Sequence, residues 1–344
     1  MAAPLRPTRD PGAVGSGRGW LLWESWGVSD WVVDLDGVMW RGGQDIPGSP
    51  SAVSELLDRG EHVVFCTNNS TVPGHRREAE LRSAGVTPGF GVITSADAAA
   101  TLVERDQRVL LLGSAQLGDQ LRAAGAVVTP VTELADQLGA SGGWDDPTEV
   151  LGATSGFAAV VLGLARGVRY EHLDLVCSAI HQGARFLATN TDATFPASGR
   201  LQPGTGAIVA AVEAATSTPP TVAGKPNAPM AEAIRRAMVG DARASAGVGA
   251  PGFTPEHGTA GASAGGGLCG VVVGDRVDTD GRLAHELGFE FALVLSGVTG
   301  EVPSAADVPV HAVATDLASL VAGDLLGGSL RALGPGTPGA PGAV

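Results

Sequence analysis

Apolar and polar positions along this chain fall into a repeating order. Short apolar runs at 31–34, 62–66, 109–113, 158–162, 185–189, 270–274 and 291–295 read as strands. Between them, 50–59, 74–84, 95–104, 115–124, 170–182, 205–215 and 228–238 read as helices. Strand and helix in turn predict an α/β fold, in which a parallel sheet needs crossover helices. Three segments rich in Gly, Ala, Ser and Pro break the order, at 1–19, 239–267 and 327–344, and are expected to be mobile because they offer few large apolar groups to bury. The Pro-rich TSTPPT at 216–221 reads as a hinge.

Composition bounds the answer further. At 344 residues, 44% hydrophobic and 17% charged, the chain has material for two domains of ordinary size. A formal net charge of −14 argues against a nucleic-acid partner, which needs a basic face. Cys66, Cys177 and Cys269 are an odd number, far apart and without CxxC spacing, so neither a disulfide framework nor a zinc site is indicated, and a reducing cytoplasm fits. Residues 1–27 carry only a broken apolar patch around Trp20 to Trp26 with Glu24 inside it, too short and polar for a membrane span or signal core. They are set aside as a loose extension.

Four strand ends carry candidate chemistry. WVVDLDGV at 31–38 delivers Asp34 and Asp36 to the C-terminal end of a strand, where open α/β sheets bind ligands. The following glycine lets the backbone turn, so Asp34 can face a ligand while Asp36 hangs over it; the competing reading is a common Asp-Gly turn. VVFCTNNS at 63–70 ends in Thr67, Asn68 and Asn69, groups that donate hydrogen bonds to an oxyanion without a repelling charge, although a helix cap by Ser70 or Thr71 would account for part of the pattern. Lys225 in VAGKPNAPM is the one lysine among 22 basic residues, which suggests a position that wants a compact ammonium; the competing reading is a lone surface lysine left by chance. GVVVGDRVDTD at 270–280 gathers Asp275, Asp278 and Asp280, a costly arrangement unless a cation is shared; Mg²⁺, which prefers oxygen ligands, is the natural candidate. Val239-Gly240-Asp241 repeats the VGD triplet but follows a helical stretch and has Ala246 where an acid is needed.

The order DLDGV, TNNS, GKP, GDRVDTD resembles the haloacid dehalogenase-like superfamily of phosphohydrolases. Within it the chain is most similar to the subclass (IIA) with a large α/β cap inserted between the second and third motifs, which includes 4-nitrophenyl phosphatase-like, pyridoxal phosphate, phosphoglycolate and NagD-type nucleotide phosphatases. The resemblance spans about 30–322 and includes ARFLATNTDATFP at 184–196, LQPGTGAIVAAVEAAT after it, and GFEFALVLSGVT at 288–299. It implies a doubly wound, Rossmann-like parallel-sheet core from 28–105 and 220–326, holding the insert 239–267, with a cap at 106–219 and a tail at 327–344.

The resemblance also implies roles. Asp34 matches the nucleophile that becomes an aspartyl-phosphate, and Asp36 the general acid and base. Thr67 and Asn68, with Asn69 beside them, match groups that hold phosphoryl oxygens; Lys225 matches the cation that offsets their charge. Asp275 matches the Mg²⁺ ligand together with the Asp34 carboxylate and the Asp36 carbonyl, with Asp280 behind them. Asn190 and Asp192, in the cap loop Thr189 to Asp192, are expected at the leaving-group end of the substrate, although TNTD also reads as a turn after a cap strand. The expected substrate is a small phosphorylated metabolite, and the resemblance implies a homodimer through the cap. Where the family often carries a GFD-type loop, this chain reads GLARGVRY at 163–170. Two other readings stay open: a phosphotransferase or phosphomutase with the same nucleophile, and a non-catalytic ligand-binding protein of this fold. A dehalogenase is disfavoured, since it needs neither Asp36 nor an acidic Mg²⁺ cluster. A dinucleotide site is disfavoured too, because Gly204-Thr-Gly206 lacks the third glycine of GxGxxG and reads better as a flexible lead into a helix.

Overall fold

A computed structural model of the chain describes residues 29–197, 200–245, 270–301 and 306–326. The expectations for 1–27, 327–344 and all but the first residues of 239–267 lie outside the described residues, as does Cys269.

The first sheet is built on β1 (Asp30–Asp34), whose five residues are all buried. β1 pairs in parallel with β4 (His62–Thr67) on one side and β13 (Gly270–Gly274) on the other. β5 (Phe90–Thr94) continues beyond β4, and β14 (Glu290–Val294) and β15 (Ala312–Ala314) continue beyond β13. The order is β15-β14-β13-β1-β4-β5. From β1 the chain winds outward through β4 and β5, then returns to the middle and winds the other way. The reversal falls between β1 and β13, the place where a doubly wound sheet opens a crevice at its carboxyl ends.

A second parallel sheet has the order β12-β9-β8-β6-β7, from β6 (Arg108–Leu112), β7 (Val127–Pro130), β8 (Ala159–Leu162), β9 (Arg185–Ala188) and β12 (Thr221–Val222). Its last strand lies two residues past the boundary expected at 219, because Thr221 and Val222 pair with Leu187 and Ala188 before the chain turns back to the first sheet. Two hairpins complete the strands: β2 (Trp40–Arg41) with β3 (Gln44–Asp45), and β10 (Thr194–Ala197) with β11 (Arg200–Pro203).

The alternation of side chains explains the layers. Trp31, Val33 and Phe65 point to one face of the first sheet, where the helices Ser49–Asp58 and Leu317–Ala322 cover them. Val32, Val64 and Val272 point to the other, into a cluster that continues without a break through Leu117 and Leu121 to Val109, Leu111 and Val161 of the second sheet. Full burial of each such side chain contributes about 1.5–3 kcal/mol. The far face of the second sheet packs on the helix Tyr170–His181 through Leu175 and Val176.

The seven expected strands and seven expected helices are all present, with ends shifted by a few residues. The helix expected over 228–238 runs on to Ser245, taking Val239-Gly240-Asp241 inside it. Several elements were not expected from the pattern: β5, β7, β12, β15, the two hairpins, and the helices Val131–Ser141, Pro147–Thr154, Arg282–Leu287 and Leu317–Ala322. β5 shows the reason. Its burial alternates, so FGVIT never makes a continuous apolar run.

Candidate active site

Asp34 is the last residue of β1 and 5% exposed, while Asp36 is exposed. The turn that separates them depends on Gly37, which has φ +95° and whose added Cβ would stand 2.4 Å from Asp275 Oδ2. Only a residue without a side chain fits that conformation and that approach. Past the turn, the two Asp36 carboxylate oxygens accept from Trp40 Nε1 at 3.0 Å and Thr67 Oγ1 at 3.4 Å. The octapeptide is therefore more than a turn: it sends one acid down into the sheet edge and holds the other above it.

Lys225 follows β12 and is 5% exposed. Its Nζ donates to Asp34 Oδ1 at 2.6 Å and to Asp280 Oδ1 at 2.7 Å. Asp280 is completely buried, in the short π-helical turn Val277–Gly281, and its second oxygen accepts from Arg276 N at 3.1 Å. So Asp280, expected behind the site, touches the lysine directly. Asp275, just past β13, accepts from Val298 N through Oδ2, while its Oδ1 is buried without a partner. Gly297 closes in on the same carboxylate, with its added Cβ only 1.9 Å from Asp275 Oδ2.

Carboxylate oxygens of Asp34, Asp275 and Asp280 lie within 4.8 Å of one another. Three buried carboxylates share one ammonium, which leaves the cluster with excess negative charge. Burial would favour a neutral amine at Lys225, but Asp280 and Asp34 outweigh it and hold the ammonium charged well above the usual lysine range. Burial, against the pull of Lys225, raises the Asp34 carboxyl well above its ordinary range, and Asp280, Asp275 and Asp36 add repulsion. Burial and the Asp280 charge push Asp275 up to about 6. A divalent cation suits such a group: oxygen donors, excess negative charge and an orphaned buried carboxylate oxygen all fit one.

The amide side chains make contacts within the protein. Thr67 is buried, and its Oγ1 donates to Asp36 and accepts from Asn69 N at 3.1 Å. Asn69 Oδ1 accepts from both N and Oγ1 of Thr71, so it shapes the loop. Asn68 lies along the lysine backbone: its Oδ1 accepts from Lys225 N at 2.8 Å, and its Nδ2 donates to Lys225 O at 3.3 Å and Asp192 Oδ2 at 3.2 Å. Asn190, 5% exposed, donates to Asn68 O at 2.8 Å and accepts from Asp192 N at 3.1 Å. Asn190 and Asp192 thus bind the second sheet to the loop after β4. The lead into the following helix is closely packed: added Cβ atoms on Gly204 and Gly206 would stand 2.1 Å from Asp192 O and 2.2 Å from Thr191 O. No sequence signal separates an asparagine that binds backbone from one that binds a ligand.

The loop 163–170 leads away from β8 and helps to line a cavity of about 470 Å³ at the carboxyl edge of the second sheet, with Arg166, His172, Ser114 and Thr132 in its wall and Thr71 joining from the first sheet's loop. The Arg166 guanidinium lies 5.6 Å from the centre of the Phe195 ring, which ties this loop to the hairpin β10–β11.

Comparison with known proteins identifies the class. Residues 31–127 match the haloacid dehalogenase-like hydrolase family and residues 222–320 a second, HAD-hydrolase-like family. Human chronophin is 30% identical over 284 residues, covering 78% of this chain and 81% of chronophin. The D-glycerol 3-phosphate phosphatase of Mycobacterium tuberculosis is 32% identical over 273 residues, 78% of this chain and 63% of that enzyme, so the match spans less than two thirds of this relative's length. The crystal structure of glycerol phosphate phosphatase from the same organism, in complex with magnesium, superposes with a TM-score of 0.62 at 28% identity, covering 85% of this chain and 76% of that one. The chain belongs to the haloacid dehalogenase-like hydrolase family, and its mycobacterial relative is named as a phosphatase of D-glycerol 3-phosphate.

Proposed function

We propose that this protein is a Mg²⁺-dependent phosphatase of small phosphomonoesters, with Asp34 as nucleophile and Asp36 as general acid and base. The observation that carries this reading is the division between the two acids: Asp34 is buried against Lys225, while Asp36 stands exposed beside it. An Asp34 oxygen attacks phosphorus, the bond from phosphorus to the ester oxygen breaks, and Asp36 gives its proton to the departing alkoxide. Asp36 then takes a proton from water as that water attacks the aspartyl-phosphate; inorganic phosphate leaves and the Asp34 carboxylate returns. Lys225 stabilises the charge on Asp34 and on the phosphoryl group, an effect strengthened by its burial. Thr67 orients Asp36. Asp34, Asp275 and the Asp36 carbonyl would hold Mg²⁺, supported by the partnerless Asp275 Oδ1. When bound, the ion supplies positive charge toward the phosphoryl oxygens.

The domain reading proposed here treats the first sheet as the catalytic core and the second as a cap that selects the substrate. Glycerol phosphate and similar small esters are the proposed class, after the activity named for the mycobacterial relative. A phosphotransferase would share every residue above and differ only in using a second hydroxyl in place of water. The test is phosphate release from a panel of sugar phosphates, glycerol phosphate, phosphoglycolate, nucleotides, pyridoxal phosphate and an aryl phosphate. Each is run with Mg²⁺ and with chelator, with Asp34→Asn as blank. Release that requires both Mg²⁺ and Asp34 supports the reading; turnover that survives in Asp34→Asn, or that is unchanged by chelation, overturns it.

A further inference from the structure

Asn68 occupies a position that the reaction above does not use. Its side chain lies along the backbone of Lys225, accepting from the lysine N–H at 2.8 Å and donating to the lysine carbonyl at 3.3 Å. The remaining amide contact goes to Asp192 of the second sheet's loop, at 3.2 Å. The amide has two N–H groups, and here they meet two acceptors, so neither is left over for a phosphoryl oxygen. The backbone is fixed as well, since Asn68 O accepts from Ser95 Oγ at 2.7 Å and from Asn190 Nδ2 at 2.8 Å. Gly224 lies so close that an added Cβ would stand 2.4 Å from Asn68 Oδ1 and 2.5 Å from Thr189 O. One side chain therefore joins the end of β4, the peptide of the buried lysine and the loop that carries Asp192.

We propose that Asn68 is a positioning residue: it sets the height and direction of Lys225 against Asp34 and Asp280, and it makes that placement depend on the second sheet through Asp192. The ammonium sits 2.6 and 2.7 Å from its two carboxylates, distances with no slack, so a displaced lysine backbone cannot keep both contacts. This inference rests on the phosphatase reading for its kinetic consequence but not for its geometry.

The chain's single lysine supplies a direct readout. In full-length protein labelled with [¹⁵Nζ]lysine, the one ammonium resonance reports Lys225 and nothing else. Asn68→Ala is expected to shift that resonance and speed its exchange with water. It is also expected to lower kcat on an aryl phosphate by roughly ten- to a hundredfold, the range expected when a reacting group is misplaced by about 1 Å, with KM little changed. In a Lys225→Ala background the same change is expected to cost less than about threefold, because sites that act through one another are not additive. Should Asn68→Ala fail to fold, the near-isosteric Asn68→Asp goes through the same cycle with the same expectation. An unmoved lysine resonance, or an equal loss in both backgrounds, overturns the proposal and returns Asn68 to direct phosphate binding. If the wild-type chain releases no phosphate from any ester, the phosphatase reading fails while the resonance still decides the placement of Lys225.

Discussion

Replacing Lys225 with methionine tests the electrostatic account of the site through stability, without any appeal to turnover. Methionine keeps an unbranched stem of similar length and removes the ammonium. Two short charge-assisted hydrogen bonds are lost, to Asp34 and to Asp280, both carboxylates being almost entirely buried. Removing one partner of a buried ion pair costs about 3–5 kcal/mol, because the other charge stays buried and uncompensated. A folded domain has a margin of only roughly 5–15 kcal/mol, and near the midpoint each kcal/mol moves Tm by about 2–4 °C in chains of 150–250 residues. The expected result is a fall in Tm of about 10 °C in chelator at pH 8. At pH 5 the deficit should shrink. The carboxyls of Asp34 and Asp275 already have raised proton affinity, and a protonated acid no longer needs the ammonium. Differential scanning calorimetry of wild type and Lys225→Met at the two pH values measures both numbers. A deficit under about 1 kcal/mol, the size of an exposed pair, or one that grows on acidification, would refute the reasoning.

Other expectations follow from individual contacts. Asp36→Asn should lower turnover of alkyl phosphates far more than of an aryl phosphate with a good leaving group, as measured by paired kcat values; equal losses would remove the proton-transfer role. Gly297→Ala should abolish Mg²⁺-dependent activity and weaken Mg²⁺ binding by calorimetry, since its Cβ would stand 1.9 Å from Asp275 Oδ2. Asp275 has a folded-state value pushed up to about 6, above its unfolded value, so its contribution to the stability of the metal-free chain is present below about pH 4 and lost as pH rises through about 6. Mg²⁺ should accordingly raise Tm at pH 8 and do little at pH 5; a shift of the same size at both would contradict this. Thr94→Ala should cost about 1 kcal/mol by breaking the capping box with Asp97 at the start of Ser95–Ala100.

The central strands were legible because a strand buried on both faces is an unbroken apolar run, and the acids that end β1 and β13 stand out against it. Lys225 was legible through its rarity. What stayed hidden depends on partners that no local pattern encodes. Asp280 reads as one acid among three in DRVDTD, and only the π-helical turn brings it to the lysine. Asn68 carries the same amide whether it faces a ligand or a peptide bond. Edge and hairpin strands were missed where one face meets solvent and the apolar run breaks, as in β7, whose first residue is exposed and the rest half-buried. The two-residue β12 is too short to show any period at all.

The position of β1 in the middle of its sheet bears on how the protein is made. Asp34 ends this strand, yet its lysine partner follows 191 residues later and the strand's neighbour β13 later still. Domains tend to fold as units as synthesis proceeds, and contacts that close long loops form late. A nascent chain released before β13 would hold Asp34 and Asp36 but neither Asp275 nor Asp280. Asp34 is thus translated well before the groups that surround it, and products truncated ahead of β13 are expected to be inert.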